Sequence, residues 1–308
     1  MSYKYVPLTG ASKPENPYPS GTAFQLAAVA FPMTEHLPSA DDVPVTNGMP
    51  MLGLGTWENT DPDECTNAVK TALEMGYRHI DTAQIYGNEA EVGEGIAAAD
   101  VDRDDIFLAT KVWIDELSHD DVIESTRESL DKLGVEYVDL LYVHWPAGEY
   151  DAEATLSAFD ELVEDGLTKR VGVSNFEPEQ LREAVELSES GIFANQVELH
   201  PLLQQDELRD VCADEGVEIV AYSPLARGTV FDVDVLSDIA EKHDVSEAQV
   251  SLAWLRENGV TAIPKATSEG HIRDNWESLE LTLDDEDIAA IDAIETTDRR
   301  VDPGFAPW

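Results

Sequence analysis

Four residues of this 308-residue chain carry groups suited to moving protons and stabilising charge, and three of them close short apolar runs. Asp81 follows His79-Ile80, Lys111 follows Ala109-Thr110, and His144 follows Tyr142-Val143; Tyr86 lies five residues past Asp81. A carboxylate, an ammonium, an imidazole and a phenol are the side chains of general acid–base chemistry and of oxyanion stabilisation. Taken singly, each has a plainer reading. An Asp after a strand is often a helix cap, a lysine is usually surface charge, and a histidine before Trp-Pro can be a satisfied core residue. The lysine is the hardest to dismiss, because residues 33–308 contain only six, and one directly after a buried strand is poor surface decoration. A metal-dependent hydrolase would need clustered histidines and carboxylates at strand ends. Only His144 ends a strand in that way, so no metal is expected.

The elements that must position these groups are legible from residue 43 onward. Val43 to Met51 reads as a hairpin, with Asn47-Gly48 supplying the two positive-φ positions of a type I′ turn. Candidate strands fall at 51–55, 77–80, 106–110, 138–143, 169–173, 194–198, 217–222 and 260–263, alternating with amphipathic helices. Asp61-Pro62 starts one helix as N-cap and first-turn proline, and Gly76 ends it. Ser118 to Asp121 is a capping-box-like start, and Pro178 opens a further helix that Gly191 follows. Eight strands each followed by a helix imply parallel strands joined by right-handed crossovers. The expected architecture is α/β, a (β/α)8 TIM barrel with an N-terminal β-hairpin, forming one domain over 43–308. An open doubly wound sheet is the alternative, but Gly53-Leu-Gly55-Thr-Trp57-Glu does not complete the G-x-G-x-x-G fingerprint.

With the strands in place, the chain from about residue 43 onward resembles the aldo-keto reductase family. The matching stretches are Gly53-Leu-Gly-Thr-Trp57, Gly76 to Glu89, Thr110-Lys111-Val-Trp113, Val143-His144-Trp-Pro146, Gly172-Val-Ser-Asn175-Phe, Asn195 to Pro201 and Ile263-Pro-Lys265. Small prokaryotic members such as the diketogluconate reductases are the closest in look. The resemblance implies hydride transfer between NADP(H) and the carbonyl of an aldehyde, ketone or sugar-derived substrate. It makes Asp81, Tyr86, Lys111 and His144 the catalytic tetrad. Tyr86 would be the general acid, its pKa lowered by Lys111; Asp81 would hold Lys111, and His144 would orient the carbonyl oxygen.

The resemblance also assigns the cofactor. Tyr222 would stack on the nicotinamide, with Ser174, Asn175 and Gln196 on its carboxamide. Ser223 and Leu225 would meet the pyrophosphate, Lys265 the 2′-phosphate, and Asn275 the adenine. Tyr222 and Gln196 could instead merely fill the barrel mouth. Two positions depart from the family pattern, Ala266 for a serine and His271 for an arginine. That removes a bidentate phosphate partner and makes NAD(H) use plausible beside NADP(H). Trp57, Trp113 and Trp145 are expected to wall the substrate pocket, with core packing as the alternative for Trp145, and the tail from Asp298 to lean over it. A regulatory or scaffold protein that binds NADP without turnover is the second functional reading; an intact tetrad speaks against it.

Composition bounds the partners. The chain holds 64 Asp and Glu against 19 Lys and Arg, a net charge of −45, with 43% hydrophobic residues. Such a field repels phosphate, so nucleic acid and anionic membrane are not expected partners. No apolar run approaches the roughly 20 residues of a membrane span. Cys65 and Cys212 offer no disulfide framework, which fits a reducing cytoplasm, and a monomer is expected. The charge is uneven: residues 1–32 carry +1 and the other 276 carry −46. Residues 1–42 are expected to be an extension, either a disordered tail or an upstream stretch read from an early start codon. The acid surplus reads as adaptation to molar salt, where self-repulsion is screened.

Overall fold

The computed structural model describes residues 37–308; the expectation for residues 1–32 lies outside them. The described chain forms one unit beginning at Leu37, six residues ahead of the expected boundary. Pro38 is buried, and its carbonyl accepts a hydrogen bond of 2.8 Å from Trp276 Nε1.

The hairpin forms as its turn residues require. Strands β1 (Val45–Thr46) and β2 (Met49–Pro50) pair antiparallel, with φ of 45° at Asn47 and 88° at Gly48. Met49 is fully buried against Phe107, Ala109, Leu140, Tyr142, Ala194, Val220 and Ile263. These are inward-facing strand residues, so the hairpin closes the floor of a barrel. Arg170 ties it down, donating to Asn47 O at 3.2 Å while lying over the rings of Phe107 and Phe193.

The barrel strands are β3 (Leu54–Gly55), β4 (His79–Asp81), β5 (Phe107–Val112), β6 (Leu140–Val143), β7 (Val171–Ser174), β8 (Ile192–Glu198), β9 (Glu218–Tyr222) and β10 (Thr261–Ala262). Each pairs in parallel with its sequence neighbour. Parallel bridges Leu52–Ala262 and Gly55–Lys265 join first to last. The seam depends on Gly55, where a Cβ would sit 2.6 Å from Ile263 O. The helices are α1 (Pro62–Met75), α2 (Glu89–Ala98), α3 (His119–Leu133), α4 (Ala152–Glu164), α5 (Pro178–Leu187), α6 (Asp206–Glu215), α7 (Asp234–His243), α8 (Glu247–Glu257), α9 (Glu269–Glu277) and α10 (Asp285–Asp292). The main core lies between the outer strand faces and the inner helix faces, as with Cys65, Ala68, Val69, Ala72 and Leu73 of α1. Asp61 caps α1 by accepting from Glu64 N at 3.1 Å, with Pro62 in the first turn. The start of α3 differs from the expected box: the Ser118 hydroxyl donates to the Asp121 carboxylate and makes no bond to the helix backbone.

Candidate active site

All four expected residues converge at the carboxyl end of the barrel. Asp81 is the last residue of β4 and is 1% exposed; Lys111, in β5, is fully buried. Lys111 Nζ meets Asp81 Oδ1 at 2.5 Å, Thr82 O at 2.8 Å and the Tyr86 hydroxyl at 3.4 Å. The other Asp81 oxygen accepts from Gln196 Nε2 at 2.8 Å. An ammonium with three acceptors and a carboxylate with two donors is the condition under which a buried ion pair is tolerated. Tyr86 stands on a short 3-10 turn, 84–86, half-buried and edge-on to the His144 ring at 5.8 Å between centroids. His144 follows β6 directly. Gly172 beside it on β7 makes room for the Tyr142 ring, since a Cβ there would lie 2.6 Å from it.

Burial sets the protonation states. It pushes the His144 imidazole well below its ordinary range, with the Lys111 charge adding to the effect, so His144 is neutral. Its Nδ1 is buried without a hydrogen-bond partner among the described residues. Tyr86 departs from expectation. Burial first, then the Asp81 carboxylate and Tyr222, raise its phenol well above the usual value. The Lys111 ammonium, shared with Asp81 and the Thr82 carbonyl, does not outweigh these effects in the resting site. Tyr86 is therefore a firmly protonated acid. Burial also lowers Lys111, against the pull of Asp81. Cys65 is a neutral thiol, pushed up to about 11 by burial.

Four of the expected cofactor residues, Ser174, Asn175, Gln196 and Tyr222, are joined to the central four by hydrogen bonds. Ser174 Oγ donates to Gln196 O at 2.7 Å, and Asn175 Nδ2 donates to His144 O and Ser174 Oγ. Tyr222 donates to Asn175 Oδ1 at 2.8 Å. After β9 the backbone turns through positive φ at Ser223, Ala226, Arg227 and Gly228, with Ala226 N donating to Ser223 O and Gly228 N to Leu225 O. Leu225 lies inside that turn. Lys265 is exposed, with no carboxylate partner among the described residues. Ala266 is 3% exposed and Asn275, on α9, is also 3% exposed. Arg273 is engaged by Glu269 at 3.3 Å, and His271 N donates to the cap residue Ser268.

Trp113 and Trp145 join an aromatic cluster with Phe305 and Trp308, two residues of the tail that the sequence reading did not single out. Trp113 is edge-on to His144 at 5.1 Å; Phe305 packs on Trp113 at 6.0 Å and on Trp145 at 5.4 Å; Trp308 packs on Trp145 at 5.5 Å. Trp57 is 36% exposed under the Arg227 guanidinium, which also pairs with Glu58 at 3.0 Å. Glu198, at the end of β8, fixes the tail: its carboxylate accepts from Arg300 N at 2.7 Å, Val301 N at 2.8 Å and His200 Nε2 at 3.0 Å. A cleft of about 350 Å³ between residues 201–208 and 292–297 touches none of the four central residues. Among the described residues no group of three or more His, Cys, Asp or Glu could hold a metal ion.

A closed parallel barrel with a buried Asp–Lys pair, a phenol and a neutral imidazole at its carboxyl end defines an oxidoreductase class. The sequence pattern of the Aldo/keto reductase family matches residues 45–296, and the chain belongs to that family. It is similar to the glyoxal reductase of Bacillus subtilis, 41% identical over 265 residues, which span 85% of this chain and 95% of the relative. A crystal structure provisionally named 2,5-diketo-D-gluconic acid reductase B superposes with a TM-score of 0.81 at 37% identity, covering 86% of this chain and 95% of the other. The Bombyx mori aldo-keto reductase in complex with NADP has a TM-score of 0.76 at 34% identity, covering 82% and 91%. The reaction class is accordingly NADP-linked carbonyl reduction. No helix among the described residues is long and apolar enough to cross a membrane.

Proposed function

We propose that this chain reduces small aldehydes and ketones, 2-oxoaldehydes and sugar-derived carbonyls among them, with Tyr86 as the proton donor. The observation that carries this reading is Lys111 Nζ held between the Asp81 carboxylate and the Tyr86 hydroxyl at the barrel mouth. Bound NADPH supplies the hydride. Tyr86, kept protonated by burial, gives its proton to the carbonyl oxygen as negative charge develops there, and the phenolate left behind is stabilised by Lys111. Asp81 and the Thr82 carbonyl keep Lys111 in place. His144, neutral, offers a ring N–H to the same oxygen and holds it toward Tyr86.

The residues present fit NADP. Lys265 is a free cation for a 2′-phosphate, and the positive-φ run after β9, with Ser223 and Leu225, suits a pyrophosphate. Ser174, Asn175, Gln196 and Tyr222 would hold the nicotinamide end, and Asn275 the adenine. Ala266 offers no hydrogen bond and Arg273 is already paired, so Lys265 faces that phosphate without a bidentate partner. NADH is therefore used as well, with NADPH preferred; the two kcat/KM values measured side by side test this, and a strong NADH preference overturns it. The acid surplus supports an enzyme that works in concentrated salt as a monomer, and the two free cysteines suit the reducing interior of a cell. Tyr86→Phe should abolish most reductase activity while NADPH still binds; near-normal turnover in that variant would remove Tyr86 from its role.

A further inference from the structure

Tyr86 is presented by a turn with little to hold it. The 3-10 turn at 84–86 has no side-chain cap, and its backbone bonds, Tyr86 N to Ala83 O and Gly87 N to Gln84 O, stay local. Ile85 is 50% exposed, and Gly87, at φ 67°, has no side chain to pack. Among the described residues, two side chains carry hydrogen bonds from this turn to other elements. One is Tyr86 itself, on Lys111 at 3.4 Å, the longest of the three hydrogen bonds that ammonium makes. The other is Gln84, which takes no part in the proton transfer described above.

Both ends of the Gln84 amide are engaged. Its Oε1 accepts from Trp113 N at 2.9 Å, and its Nε2 donates to Ser129 Oγ at 3.2 Å. Trp113 directly follows β5, two residues past Lys111, and its ring stands edge-on to His144. One amide thus joins the turn of Tyr86 to the segment that carries Lys111. Ser129 is fully buried on α3. Behind it lies Glu89, the first residue of α2. Burial raises the pKa of the Glu89 carboxyl, and the hydroxyls of Thr110 and Ser129, which donate to it, oppose that rise. These partners allow the amide one orientation. A backbone N–H needs an acceptor, so Oε1 faces Trp113; Nε2 then meets the Ser129 oxygen, whose own proton goes to Glu89.

We propose that Gln84 is a positioning residue for the proton donor: through Trp113 N and Ser129 it sets the distance of the Tyr86 hydroxyl from Lys111 and from the carbonyl oxygen. The inference rests on the reading of Tyr86 as the acid, given above. A contact of 3.4 Å is near the limit of a hydrogen bond, so a small displacement of the turn loses it. Proton transfer needs the donor within about 2.6–3.2 Å of the oxygen it serves. A misplacement of about 1 Å can cost on the order of a hundredfold in rate. With Ile85 half in solvent, that precision falls to side-chain hydrogen bonds, and two of them meet at Gln84.

The test uses the full chain with NADPH and glyoxal in single-turnover reactions. Gln84→Met keeps an unbranched side chain and removes both bonds. Its rate at saturation should fall roughly ten- to a hundredfold, with the Kd for NADPH and the KM for glyoxal unchanged. In a Tyr86→Phe background the same substitution should cost nothing further, because no hydroxyl is left to position. Ser129→Ala leaves the turn's own sequence intact and removes one bond, so it should show a smaller fall of the same kind. Hydrogen exchange at the Trp113 amide needs no turnover and should accelerate in Gln84→Met. A loss repeated in full on top of Tyr86→Phe would overturn the proposal, as would a loss confined to NADPH affinity. Unchanged exchange at Trp113, or an unchanged rate in Ser129→Ala, would overturn it too. Wild-type turnover in Gln84→Met beside an inactive Tyr86→Phe leaves the acid in its role and removes the positioning inference alone. Normal turnover in Tyr86→Phe removes the acid, and the inference with it.

Discussion

Lys111 and Asp81 are each almost wholly buried, and each satisfies the other. Taking one away leaves an isolated charge in a low-dielectric site, which typically costs about 3–5 kcal/mol. Lys111→Met should therefore lower the unfolding free energy by about that amount and remove the support of the Tyr86 phenolate. The activity loss should be on the order of 10²–10⁴, the range for a lost acid–base function. Urea unfolding and single-turnover kinetics on one preparation separate the two effects. Full activity in a correctly folded variant would contradict the role given to Lys111. His144 makes a pH prediction of definite sign. Its folded pKa is depressed below an unfolded value of about 6.5, so the folded state binds fewer protons. Stability is then lost as pH falls below about 6.5 toward the folded value. The wild-type Tm should fall more steeply between pH 7 and pH 5 than that of His144→Gln. Parallel slopes would show that His144 is not held neutral by burial. At this scale the scarcity of lysine made Lys111 conspicuous in the sequence. The state of Tyr86 was not legible, because it depends on how completely Asp81 occupies the lysine and on burial, neither of which spacing reveals.

All eight strands lay where apolar runs alternated with capped helices, because a parallel sheet buried on both faces leaves near-continuous aliphatic segments. Their edges moved by a few residues: β4 runs 79–81, not 77–80, since the Tyr77 backbone N–H is spent on Ala72 O of α1, outside the sheet. The tail was harder to read. Asp298 to Trp308 has neither helical nor strand period, and its course is set by Glu198, more than 100 residues away in sequence, together with Asp298 N bonding Leu202 O. No local signal marks a strand-end glutamate as an anchor for distant backbone. Glu198→Gln keeps the shape but loses the charge that strengthens both tail bonds. Hydrogen exchange at Arg300 and Val301 should accelerate, and KM should rise more than kcat falls, since Phe305 and Trp308 would no longer be held against Trp145. Unchanged exchange at those two amides would show that the tail is held by its aromatic contacts alone.

The net charge of −45 acts on the molecule as a whole, and the fold uses part of it. Every α-helix from α1 to α10 has an acid in its first turn, where the helix dipole favours negative charge. Only α3, α7 and α8 carry a base in the last turn. Placement at N-termini offsets some self-repulsion, but most of the 64 acids have no cation to meet, since 19 cannot serve them. Repulsion among exposed acids weakens as the Debye length falls from about 30 Å at 0.01 M to about 3 Å at 1 M salt. Buried pairs such as Lys111–Asp81 are little affected over that range. Folding should therefore strengthen with salt, and Tm should rise several degrees between about 0.01 M and 1 M potassium chloride. Each kcal/mol corresponds to roughly 2–4 °C for a domain of this size. NADPH affinity should respond in the same direction at first. The cofactor is an anion approaching a strongly negative molecule, and Lys265 supplies only local attraction. Screening the long-range field then gains more than screening one cation loses, so Kd should fall on leaving low salt, the reverse of the usual behaviour at a phosphate site. A Tm that is flat or falling over this range, with Kd rising monotonically, would show that local pairing governs this molecule and not its net charge.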